Sequence, residues 1–173
     1  MTKLSCLAVM ISTSIVAIIG SFLPFTTAQA AESVKVTCES KASIPTVIAT
    51  FSNQSVSQAT PILSFSSKYF SAAQASQYCQ STAGKLHTFY SQNRMNYLAS
   101  DAIDGKPVVC AVERRGRSCD SYNSDILFSL NRSINPNELL YNMLGKDFKG
   151  SKLPSSRTIS RIYTDLRPLW WPF

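Results

Sequence analysis

The chain has 173 residues, 45% of them hydrophobic and 16% charged, with a net charge of +7. That length suits one domain plus processing segments, and the apolar content excludes a disordered chain. The basic balance favours anionic partners, namely lipid headgroups, acidic proteins or nucleic acid.

The first thirty residues read as a signal peptide. Lys3 and the free amine make a thin positive start, and Leu4 to Leu23 is mostly apolar. Pro24 breaks any helix, and Ala28-Gln29-Ala30 has the small-residue spacing of a cleavage site. A retained anchor is the competing reading, since about twenty apolar residues span a bilayer. Ser12, Thr13, Ser14 and Gly20 weigh against it. Cleavage removes Lys3 and Cys6, leaving a charge of +6 and four cysteines, Cys38, Cys79, Cys110 and Cys119. An even set in an exported chain reads as disulfides. A zinc site would want a close pair such as C-x-x-C, and the closest two here are nine apart.

Val34-Lys35-Val36-Thr37-Cys38 alternates apolar and polar as a half-buried strand does. Thr46 to Phe51 and Pro61 to Phe65 are two further β-rich runs, separated by the turn Asn53-Gln54-Ser55. Then the period changes. Ser71-Ala72-Ala73-Gln74 has the spacing of a capping box. Behind it Ala75, Tyr78, Cys79, Ala83, Leu86 and Phe89-Tyr90 form one apolar helical face. Gly84 inside this helix costs about 1 kcal/mol against alanine, and either marks close packing on a sheet or has no role.

Asn96 to Ala99 and Pro107 to Val112 flank Asp104-Gly105, a strong hairpin signal because both residues tolerate positive φ. Arg114-Arg115-Gly116-Arg117 is a second turn, and Ile126 to Leu130 a further strand. Asn135-Pro136-Asn137-Glu138 starts a short helix with an asparagine cap, a proline in the first turn and an acid at the third position. Leu139, Leu140, Met143 and Leu144 are its buried face, and Gly145 its stop.

The expected fold is α+β: an antiparallel sheet of about six strands with one long and one short helix packed on it. The domain would run over 31–148, after a signal peptide at 1–30. A basic, Trp-rich C-terminal tail follows at 149–173. Cys38 faces inward from the first strand and Cys79 from the covering helix, so these two should pair. Cys110 and Cys119 bracket one hairpin and should form the other disulfide.

Catalytic signals are thin. His87 is the only histidine, beside Leu86 at the margin of the core face, and reads as a partly buried structural residue. Asp101, Asp104, Asp120 and Asp125 lie near hairpin loops; paired carboxylates suit a hydrolase, yet acids in turns are more often turn formers. No serine sits in G-x-S-x-G, and no glycine loop can cradle phosphate. No catalytic, metal or cofactor residue is assigned. Arg114, Arg115 and Arg117 crowd one turn, where guanidinium groups can grip phosphate or sulfate. Arg167, Trp170, Trp171 and Phe173 have the composition of a membrane interface, with Arg157 and Arg161 upstream. The tail could instead fold back over a groove of the domain, or dock on a partner protein.

The order of features from Val36 to Leu144 resembles the circadian oscillating protein family of cyanobacteria. The matching residues are Cys38, Pro45-Thr46, Tyr69-Phe70, Cys79 and Met95-Asn96-Tyr97-Leu98. Asp104-Gly105-Lys106-Pro107-Val108-Val109-Cys110, Cys119, Leu127-Phe128-Ser129-Leu130 and Asn135-Pro136 continue the match. The glycine-tyrosine-threonine-proline stretch usual in the family before the helix is replaced by Ser71-Ala72-Ala73-Gln74-Ala75. The resemblance implies export, a cyanobacterial host and day-night expression, and supplies no catalytic residues.

The expectation is a non-catalytic binding or scaffold protein, exported to the periplasm or thylakoid lumen. It would be held peripherally at an anionic membrane surface or by an unidentified protein partner. Export argues against nucleic acid. The alternatives are an exported hydrolase with a carboxylate pair and a periplasmic inhibitor or ligand-binding domain.

Overall fold

The structure, a computed structural model, describes residues 33–52, 56–94, 96–131, 134–149 and 161–167. The signal segment at 1–30 lies outside the described residues. The fold is α+β, with its strands divided between two antiparallel sheets where the sequence suggests one. The first sheet joins β1 (Ser33–Lys41), β2 (Ile44–Ser52) and β3 (Ser57–Ser64) in that order. The second contains β4 (Tyr97–Ile103), β5 (Lys106–Val112), β6 (Ser124–Ser129) and β7 (Tyr163–Asp165), in the order β6-β5-β4-β7. Helix α1 (Ala72–Gln92) and helix α2 (Pro136–Met143) complete it.

Local chemistry sets the ends of these elements. Ser71 Oγ accepts from the Gln74 amide at 3.3 Å while Gln74 Oε1 accepts from the Ser71 amide at 3.2 Å, so two otherwise unpaired groups are satisfied reciprocally. Asn93 ends α1 in the left-handed region at φ 50°, which asparagine tolerates better than most residues. Asp104 and Gly105 at φ 50° and 72° make the two-residue turn between β4 and β5. Asn135 caps α2 through its side chain, with Pro136 in the first turn.

Helix α1 buries Ala75, Cys79, Thr82, Ala83, Leu86 and Phe89. Cys79 is disulfide-bonded to Cys38 of β1, stapling the helix to the first sheet. Phe65, just after β3, meets Phe128 of β6 at 5.3 Å, and Phe70 packs on both rings, so one aromatic cluster joins the two sheets. His87 is exposed, which corrects the partly buried position its neighbour Leu86 suggests. One residue is about 100° of helix, enough to carry a side chain off the packed face. Gly84 faces open space, so of its two readings the one without a packing role holds.

Gly145 has φ −64° rather than a left-handed cap conformation. Its amide donates to the Ile62 carbonyl at 2.9 Å, and a methyl group there would overlap the Pro61 carbonyl. Close approach to β3 explains this glycine. It also holds the end of α2, whose leucines sit on the core, against the first sheet.

The sequence places the end of the domain at 148, whereas the second sheet continues through β7, which pairs with β4. Leu166 is buried, its carbonyl accepts from the Tyr90 hydroxyl, and its amide donates to the Asn96 carbonyl at 2.9 Å. Burial, then the nearby Asp165, raises the Tyr90 pKa, so this phenol stays a donor. Asn137 Oδ1 accepts from the Ser100 hydroxyl at 2.6 Å and the Ile162 amide at 3.2 Å, tying α2, β4 and the approach to β7 together. On the opposite edge, Lys85 of α1 donates to the Ile126 carbonyl of β6 and pairs with Asp125 at 2.8 Å.

The second sheet is buried on both faces. Leu98, Val109, Ala111 and Phe128 enter the main core. Ala99, Val108, Cys110, Val112 and Cys119 form a smaller core, flanked by Tyr97, Ile103 and Tyr163. The Cys110–Cys119 disulfide lies in this small core and folds the β5–β6 loop over the strands.

Candidate functional site

The strand register brings Ser124, Val112, Tyr97 and Asp165 into one row across β6, β5, β4 and β7. Three connections meet at that end of the second sheet: the turn from α1 into β4, the β5–β6 loop at 113–123, and the chain leaving β7. Each is basic. The first supplies Arg94, the second Arg114, Arg115 and Arg117, and the third Arg167.

Tyr97 is the centre of this cluster. The Arg115 guanidinium lies 5.3 Å from its ring centroid, close enough for a cation–π contact. Arg167 interacts with the Tyr97 side chain and pairs with Asp165 through Nε and Nη2, each at 3.2 Å. The Asp165 carboxylate accounts for most of the rise in the Arg167 pKa, so this guanidinium keeps its charge at any biological pH. Arg114 and Arg115 are exposed and Arg117 half-buried, with its Nε unpartnered. Arg94, Glu113 and Asn123 line a shallow recess with Asn93 and Asn96. The arrangement suits oxyanions, since planar guanidinium forks bind phosphate bidentately.

The arginine turn singled out by sequence is thus part of a larger grouping. Arg115 and Arg167 meet at Tyr97, with Arg114 and Arg117 on the same loop as Arg115; Trp170, Trp171 and Phe173 lie outside the described residues, as does Arg157. Arg161 points elsewhere. It pairs with Asp101 at 2.6 Å, toward the other end of the sheet. Asp101 is not a turn residue but a nearly buried one within β4, a correction to the sequence reading. Burial pushes its pKa up, and the Arg161 hydrogen bond with the Cys119 and Ala102 amides outweighs that and holds it below the ordinary value. The other acids are engaged separately: Asp125 with Lys85, Asp120 with the Ser118 hydroxyl, and Asp104 in the hairpin turn.

Sequence reasoning missed three contributors. Arg94 and Tyr97 carry no signal alone and join the site only through register. Tyr122, in the polar loop, is 102% exposed. An isolated tyrosine between Ser121 and Asn123 gives no hint in sequence of whether it will be covered.

The chain matches the family described as circadian oscillating protein COP23 over residues 35–170, more than half its length. That span includes β7 and Trp170, beyond the Val36 to Leu144 stretch that carries the resemblance in sequence. No curated protein matches, and no solved structure does.

Proposed function

The chain belongs to the circadian oscillating protein COP23 family, and from that premise we propose that it is an exported, non-catalytic binding protein that docks on an anionic membrane surface. The arginine cluster around Tyr97 carries this reading. Five arginines lie on three separate connections at one end of one sheet, and two of them, Arg115 and Arg167, meet at Tyr97. Arg167 ends the described part of β7's connection there, and the sequence continues directly into Pro168-Leu169-Trp170-Trp171-Pro172-Phe173. Aromatic rings favour headgroup depth and arginines meet lipid phosphates, so this composition supports a membrane interface.

Export is supported by the two disulfides, which persist in oxidising compartments, and by the signal-like first thirty residues. The periplasm and the thylakoid lumen are the compartments proposed, and the family's description makes day-night expression an expectation for this chain. No helix among the described residues is long and apolar enough to cross a membrane.

The test is sedimentation of the purified chain with vesicles of phosphatidylglycerol and phosphatidylcholine, against phosphatidylcholine alone. Binding to the anionic vesicles should fall steeply between about 0.1 M and 1 M salt as the screening length shrinks from about 10 Å to 3 Å. Absence of binding to the anionic vesicles at the lower salt would refute the docking role.

A further inference from the structure

We propose that the β5–β6 loop, residues 113–123, is a braced finger whose Tyr122 side chain anchors this face in the headgroup layer of an anionic membrane. The inference rests on the docking role above and adds the residue that makes the apolar contact.

Tyr122 is the most exposed of the large hydrophobic residues described, at 102% against 53% for Val56 and 42% for Ile126. Its ring is held out by a loop with many internal ties. The Ser121 amide donates to the Ser118 carbonyl at 3.2 Å, and the Ser124 amide to the Ser121 carbonyl at 3.0 Å, so two turns follow one another and the second contains Tyr122. The hydroxyls repeat the pattern: Ser121 Oγ donates to the Ser118 carbonyl at 2.7 Å, and Ser124 Oγ reaches the Cys119 carbonyl at 2.6 Å.

Beneath the turns the loop is fixed to the sheet at three further points. Cys119 is bonded to the buried Cys110 of β5. Its amide donates to Asp101 Oδ2 at 3.1 Å, and the Tyr163 hydroxyl donates to the Arg117 carbonyl at 2.8 Å. Folding has therefore already ordered the segment that presents the ring, and binding need not supply that entropy again. Tyrosine has few rotatable bonds, an apolar body and a polar tip, which suits a contact half in and half out of water.

Charge and position identify the occupant. Val112 and Ser124 are register partners, so Arg114, two residues past one, and Tyr122, two residues before the other, leave adjacent strands at the same level. Arg115 and Arg167 both meet Tyr97, which lies in the same row. An aromatic finger set among arginines matches an interface that is phosphate outside and hydrocarbon within. A purely acidic protein surface would use the arginines and leave the ring in water.

The experiment compares the full chain with its Tyr122→Ser and Tyr122→Trp variants on the same anionic and neutral vesicles. Tyr122→Ser should weaken binding to the anionic vesicles about tenfold, a typical loss for an interface anchor. Tyr122→Trp should bind at least as well as the natural chain. Both variants should melt with the natural chain, because the exposed ring supports little of the fold. If the natural chain binds anionic vesicles and Tyr122→Ser binds them equally, the docking role survives and the Tyr122 anchor falls. If the natural chain binds neither vesicle type, both fall together.

Discussion

The two sheets solve different problems with the same device. In the three-stranded sheet, the disulfide Cys38–Cys79 lies at the edge of the main core and joins a strand to a helix across a separation of 41 residues. In the four-stranded sheet, Cys110–Cys119 spans only 9 residues and sits in a small core of its own. The first limits how far the unfolded chain can spread. The second shapes a loop. One sheet is therefore chiefly scaffold, while the other carries the arginines, Tyr97 and Tyr122. The sulfur–sulfur bond stabilises in both places, but only in the second should its loss alter the proposed binding face.

The sharpest way to break this comparison is to remove each pair. Replacing Cys38 and Cys79 by alanine should cost ~4 kcal/mol of stability from loop entropy, read as a lower denaturant midpoint. Vesicle binding should persist wherever the variant remains folded. Replacing Cys110 and Cys119 should cost less, ~2.7 kcal/mol. That variant should lose affinity for anionic vesicles under conditions where circular dichroism still shows the native fold. The division between scaffold and binding face collapses if the two variants lose affinity equally.

A smaller effect is expected at Asp101, which links the disulfide loop to Arg161 just ahead of β7. Asp101→Asn should destabilise by about 1–2 kcal/mol at neutral pH, the range for a charge-assisted bond discounted for the partly exposed guanidinium. The sign with pH follows from the depressed pKa. The carboxylate's contribution is present above the ordinary value of 3.8 and is lost as pH falls through that value and below it. Acid titration of the melting temperature should show this loss in the natural chain and a flatter acid limb in the variant. The smallest effect is a gain. Gly84→Ala fills open space on the exposed side of α1 and should stabilise by ~0.5–1 kcal/mol with no change in binding.

What could be read from the sequence was local in origin. The Ser71–Gln74 box, the Asp104-Gly105 turn and the Asn135 cap each rest on a few neighbouring residues, and the structure places all three as expected. Both disulfides follow from the direction in which those elements point. The partition into two sheets is different, because it depends on whether β3 pairs with a later strand, a question no window of adjacent residues can answer. β7 is three residues long and gains its identity from β4, Asn137 and Tyr90 rather than from a pattern of its own. The site shares this limit. The turn at Arg114 to Arg117 stands out in sequence, whereas Arg94 and Tyr97 join it only through strand register.

The contact between Lys85 and the rim of β6 bears on self-association. Ile126 is 42% exposed on that outermost strand, an apolar side chain beside backbone groups that another chain could use to extend the sheet. The Lys85 ammonium already occupies the Ile126 carbonyl, and a positive charge stands where an incoming strand would have to lie. Growth of a fibril from this side must first displace a lysine held by Asp125. A helix side chain thus blunts the open edge of the sheet, which disfavours edge-to-edge pairing with a second chain.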